Sequence, residues 1–168
     1  MTYTFMDMAS NQRDSYLEAI QTALEKGMAA KEVVCSITTG FRAVPSMRAQ
    51  PGLNPYHASV ADIGYGFDAV QGTINRIRQG ETIPLLKELL VFDLDTLRIS
   101  EEQLSPNFEL AVKGAKPDAF HLIEQSRYLN RLIADSIYEA IRLGKLLLGS
   151  EWEMIRERIE NIQAIPRI

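Results

Sequence analysis

The fold this sequence predicts is an all-α, single-domain bundle of about six to seven helices over residues 1–168, with one long central helix at about 117–148 and a Pro-rich loop at about 41–56. Three observations predict it. Apolar residues recur at three- and four-residue spacing almost throughout. No internal repeat, low-complexity tract or Gly/Ser linker divides the chain. The 168 residues, 46% of them hydrophobic, suit one unit that buries a core without disulfide or metal staples. Residues 1–10 precede the periodic region and are expected to be disordered.

The first helix is expected from about Asn11 to Lys26, with Leu17, Ile20 and Leu24 on one stripe and Gly27 as its stop. A second follows at about Ala29–Thr39, where Ala30, Val33, Val34 and Ile37 make the apolar face. The third, about His57–Gln79, carries Val60, Ile63, Phe67, Val70, Ile74 and Ile77 at alternating intervals of three and four, a heptad seam. Gly64, Gly66 and Gly72 interrupt it at about 1 kcal/mol each relative to alanine, so close helix–helix approach or a kink is the expected compensation.

Thr82 before Pro84 reads as a cap and early-turn proline for a short helix to about Phe92. The partly alternating Phe92–Leu97 stretch is a weaker candidate for a short strand. Ser100-x-x-Gln103 matches a capping box, and Ser105-Pro106 opens another short helix ending at Gly114. Pro117 and Asp118 open what should be the longest helix, with Leu122, Leu129, Ile133, Ile137, Ala140 and Leu147 on one face. Ser150-x-x-Glu153 caps the last helix, which carries Trp152, Ile155, Ile159 and Ile162.

Composition narrows the function classes. No run of about 18 apolar residues suggests a membrane span, and the first eight residues lack a secretory pattern. One cysteine, Cys35, suits a reducing compartment, so a cytoplasmic location is expected. Two histidines and one cysteine are too few for a closed zinc site of His and Cys alone. His57 and His121 lack metal-ligand spacing, Asp93-x-Asp95 reads as a solvated turn, and Gly64-Tyr65-Gly66 lacks the preceding strand of a dinucleotide fingerprint. No catalytic residue, metal or cofactor is therefore assigned. Cys35 reads as a buried small hydrophobe.

The net charge of −4 is spread evenly, except that no carboxylate occurs between Glu32 and Asp62. Within that stretch Pro45, Pro51 and Pro55 forbid a continuous helix, and long loops in compact domains are often functional. Arg42, Met47, Arg48, Tyr56 and His57 are the candidate binding residues there. Arg127 and Arg131 are a second candidate pair on the long helix, although Glu124–Arg127, Arg131–Asp135 and Glu139–Arg142 have the spacing of surface ion pairs.

These readings favour a non-enzymatic helical protein that binds another macromolecule in a regulatory, inhibitory or assembly role, with a protein as the leading partner and a homo-oligomer as one form. Two long apolar stripes, Val60–Ile77 and Leu122–Leu147, suit helix–helix association or mutual packing within one chain. One alternative is a helix-turn-helix-like DNA-binding regulator or phage assembly protein using residues 29–48, with nucleic acid as partner. Another is an enzyme or small-ligand sensor whose pocket lies where the Pro-rich loop meets the long helix.

Overall fold

The computed structural model describes residues 10–81 and 83–163. Five α-helices occur among them and no strand: α1 (Ser10–Phe41), α2 (Leu53–Arg78), α3 (Ile83–Val112), α4 (Phe120–Leu148) and α5 (Ser150–Gln163). A 3₁₀ turn, Pro117–Ala119, leads into α4. The expectation of disorder for residues 1–9, and the Thr82 cap, lie outside the described residues.

The count of six to seven helices is corrected to five because two sets of expected breaks do not occur. Gly27 does not end the first helix. It lies inside the 32-residue α1 with a negative φ, and its missing side chain lets α1 approach α4. A Cβ there would press into Ser136 Oγ and come within 2.8 Å of Phe67 Cζ. The short helices expected between 83 and 114 are likewise one helix, α3, which runs through Phe92–Leu97 and through Pro106. Leu86, Leu90, Leu94, Leu97, Leu104, Phe108 and Ala111 form a single buried stripe along it. Burial of that stripe outweighs the local stop and start signals, including the backbone donor lost at Pro106. The longest helix is consequently α1, with α4 at 29 residues.

α1 packs most extensively on α4 and α2 on α3, while α3–α4 and α1–α2 close the remaining sides. Cross-helix pairs show that each neighbour is antiparallel. Gln21 meets Asn75 while Arg42 meets Asn54, Thr73 meets Asp93 while Ser59 meets Asn107, Glu101 meets Tyr138 while Glu109 meets Arg127, and Ala23 meets Ser136 while Gly40 faces Leu122. The result is an up-down-up-down four-helix bundle, with α5 folded back after Gly149. Gly149 turns the chain at φ +58°. Trp152 and Ile155 bury α5's apolar face, and Lys87–Glu151, at 2.8 Å, ties it to α3.

One continuous core joins all five helices. Every member of the Val60–Ile77 seam lies in it, as do Ile133, Ile137, Ala140 and Leu147 of the α4 stripe, with Leu122 and Leu129 at its edge. The two stripes are therefore used inside the bundle, and association with another chain must use other surface.

Candidate interaction surfaces

The Pro-rich segment is a chain of tight turns between α1 and α2 rather than an open loop. Its backbone donors are used locally: Val44 N–H reaches Phe41 O, Met47 N–H reaches Val44 O, and Gln50 N–H reaches Met47 O, at 3.0–3.1 Å. Ser46 pins it to the α3–α4 connection, donating through Oγ to Asp118 Oδ1 at 2.5 Å and through its N–H to Asp118 Oδ2 at 3.3 Å. Residues 42–49 contain no helix, so residues 29–48 do not make a helix-turn-helix. Proline at 45 accounts for this, since a recognition helix would need that backbone donor.

The candidate binding residues of this segment separate. Met47 and Tyr56 are fully buried. The Tyr56 hydroxyl donates to Asn130 Oδ1 at 2.9 Å, its ring lies 5.1 Å from that of Phe108, and burial pushes its pKa well above the ordinary tyrosine value. Both side chains thus hold the end of the bundle together. Arg42 and Arg48 are exposed, and Arg42 donates to Asn54 Oδ1 at 3.2 Å. His57 is half-buried between α1 and α2, with Nε2 buried and unpartnered. Burial and then nearby Arg42 lower its pKa, against a hydrogen bond to the Thr38 backbone.

A concavity of about 490 Å³ at this end is lined by Gln50, Pro51, Gly52, Pro55, Leu110, Lys113 and Gly114. It lies against the end of α3 rather than the long helix α4, and none of the candidate binding residues Arg48, Tyr56 and His57 lines it.

Arg127 and Arg131 lie together with Phe108 in a cleft of about 270 Å³ between α3 and α4. Arg127 does not pair along its own helix with Glu124. It crosses to Glu109 of α3 at 3.2 Å and stacks 5.7 Å from the Phe108 ring centroid. Arg131 makes no ion pair among the described residues, whereas Arg142–Glu139 forms as its spacing predicts, at 2.6 Å. Glu101 and Glu109 also line the cleft, so its charge is mixed.

No group of three or more His, Cys, Asp or Glu side chains among the described residues could hold a metal ion. Asp93 is buried against Thr73, whose hydroxyl donates to it at 2.8 Å, and Asp95 sits between Arg98 and Arg156. Asp93-x-Asp95 is therefore helical and partnered rather than a solvated turn. Cys35 packs half-buried against the core, more exposed than expected. Among the described residues no helix is long and apolar enough to cross a membrane.

Two surfaces stand out that the sequence did not reveal. The first is an open groove of about 830 Å³ between α1 and α4. Ala19, Ala23, Leu132 and Leu143 are its apolar members, and Glu18, Lys26, Asp135 and Glu139 its charged ones. It exists because α1 presents small residues (Ser15, Ala19, Thr22, Ala23) beside the close Gly27–Ser136 approach. Small residues on one helix signal a groove only when the facing helix is known. Arg142 holds the Glu139 carboxyl below its usual range by a hydrogen bond, and no ion pair neutralises Glu18 or Asp135 among the described residues. The second is a ridge on the outer face of α3, where Leu85, Phe92 and Ile99 stand exposed at seven-residue intervals and Leu110 continues the line. That spacing was present in the sequence, but the expected breaks at 92–106 hid it. No protein-family model, curated protein or solved structure matches this chain.

Proposed function

We propose that this is a non-enzymatic helical protein that works by binding a partner protein, receiving an amphipathic helix of that partner in the α1–α4 groove. The supporting observation is the groove itself, an apolar floor about three helical turns long with an acidic rim. A helix docks in such a groove through residues at i, i+3, i+4 and i+7. With Glu139 held by Arg142, Glu18 and Asp135 still outnumber Lys26 along the rim, so the fitting helix carries lysine or arginine beside its apolar stripe. Rim charges of this kind mainly steer association and select partners, while the buried floor supplies affinity.

The test uses two fluorescent amphipathic helical peptides of equal length, one Leu/Lys and one Leu/Glu. The Leu/Lys peptide is expected to bind the full chain at least tenfold more tightly, with affinity falling as salt rises. An Ala19→Arg/Leu132→Arg variant, changed at groove positions outside the buried core, should lose that binding while keeping its helical circular dichroism. Equal binding of both peptides, or binding unchanged in the variant, would overturn the reading.

A further inference from the structure

The end of the bundle where α1 and α3 finish and α2 begins is cationic, although the chain carries a net charge of −4. Residues 33–61 and 110–117 hold no carboxylate side chain and contribute Arg42, Arg48, Lys113 and Lys116, all exposed. None of the four forms an ion pair among the described residues. The carboxylates nearest in sequence are set back or engaged. Glu32 and Asp62 lie about two and a half turns inside α1 and α2. Glu109 pairs with Arg127 at 3.2 Å, and Asp118 is turned onto Ser46.

These cations flank an apolar hollow. Gly52 lets the Pro-rich turn sit directly on the end of α3, since a Cβ there would run into the backbone of Leu110 and Ala111. Pro51, Pro55 and Leu110 make the walls of the resulting concavity of about 490 Å³, and Lys113 lines it. The other three cations stand on its borders. The Lys116 N–H reaches Ser46 Oγ at 3.4 Å, Arg42 reaches Asn54, beside Pro55, at 3.2 Å, and Arg48 precedes the lining Gln50 by two residues. Arg42 and Lys113 directly follow the C-terminal ends of α1 and α3, where a cation is favourable by itself. That accounts for two of the charges, and for neither the hollow nor Arg48 and Lys116.

We infer that this end binds a short, extended, acidic segment of a partner protein, seating one large apolar side chain in the hollow and its carboxylates on the flanking arginines and lysines. Charge complementarity selects the partner, because unpaired cations attract an acidic segment and repel a basic one. Arginine clusters recognise acidic motifs in this way. The dimensions select the extended form. Leu110 to Gly114 is about 6 Å along α3, too short a wall for a helix to dock along. It matches about two residues of extended chain at about 3.3 Å each. Nucleic acid is disfavoured because no aromatic ring lines the hollow on which a base could stack. The site is independent of the groove reading, since the groove's Lys26 lies fifteen residues, about 22 Å, back along α1 from Phe41.

The probe is a fluorescent peptide of five acidic residues around one leucine, too short to form a helix. Fluorescence anisotropy with the full chain should show saturable binding that weakens about tenfold or more between about 50 and 300 mM salt. Arg48→Glu/Lys113→Glu replaces exposed side chains and should weaken binding about tenfold or more with helical circular dichroism unchanged. Leu110→Ser, and separately serine for leucine in the peptide, should each weaken it about three- to tenfold through lost apolar burial. The peptide change tests the hollow on the unaltered chain. Leu132→Ser, in the groove, should leave this binding as it is. No saturable binding, or binding indifferent to Arg48→Glu/Lys113→Glu or to both leucine replacements, would overturn the inference. So would binding lost in Leu132→Ser, which would put the peptide in the groove. Equal competition by a thymidine oligonucleotide of matched charge would overturn it too, marking a general anion surface.

Discussion

Gly27 and Gly72 are both helical glycines, and their surroundings predict opposite effects of the same substitution. At Gly27 an added methyl collides with Ser136 and Phe67, both on packed helices. Gly27→Ala should lower the unfolding free energy by about 1–3 kcal/mol in chemical denaturation, as overpacking does. At Gly72 nothing stands within 4 Å. Gly72→Ala should raise the stability of the protomer by about 0.5–1 kcal/mol, through helix propensity alone. Two titrating residues carry a pH signature of opposite sign. Burial raises the Asp93 carboxyl, only partly offset by the Thr73 hydrogen bond. Its stabilising contribution is therefore complete below the unfolded carboxylate value and is lost as pH rises through the folded one. Asp93→Asn should stabilise the protein at neutral pH, and the gain should vanish towards about pH 4. Burial and Arg42 lower His57, so its contribution is present above about pH 6.5 and is lost as pH falls through the folded value. Thermal melts between neutral and mildly acidic pH should show a steeper loss for the parent than for His57→Gln.

At the scale of elements, α3 shows most clearly how tertiary packing overrides local signals. Its stretch Val91–Pro106 contains an alternating segment, a capping-box match and a Ser-Pro pair, each of which reads as a boundary on its own. Seven buried apolar residues on one face make continuation more favourable than stopping. By contrast, α2 was legible apart from its first turn, Leu53–Tyr56, which the sequence assigned to the Pro-rich loop although Pro55 is tolerated there; its seam is regular and every seam residue is buried. α5 depends on one anchor more than on its own amphipathicity. Trp152 is buried where Gly144 lets the chain approach; a Cβ on Gly144 would lie 2.9 Å from the Trp152 ring. Trp152→Ala should cost about 3–5 kcal/mol in urea unfolding, with Trp152→Phe costing clearly less. Increased proteolysis within 150–163 of the alanine variant would show that α5 has detached.

For the whole molecule, the four-helix square puts the groove and the ridge on opposite sides. Phe92→Lys/Ile99→Lys, on the exposed ridge, should therefore leave the affinity of the groove for the Leu/Lys peptide unchanged, measured by fluorescence anisotropy.

Helical periodicity was enough to establish the all-α class, the α2 seam and the buried face of α4, because apolar spacing along one helix is a local property of the chain. It also located the unusual Pro-rich segment, since proline's missing donor acts wherever it stands. Which stripes would be used up, which glycines were contacts rather than stops, and where Tyr56 and Met47 would point all required the neighbouring helices to be in place. The groove is a property of two helices far apart in sequence, lined by Ser15–Lys26 of α1 and Leu132–Leu143 of α4, and the ridge is what remained of α3 after its other face was packed. Both depend on pairing between distant residues, and pairing is decided by burial over the whole bundle rather than by any single segment.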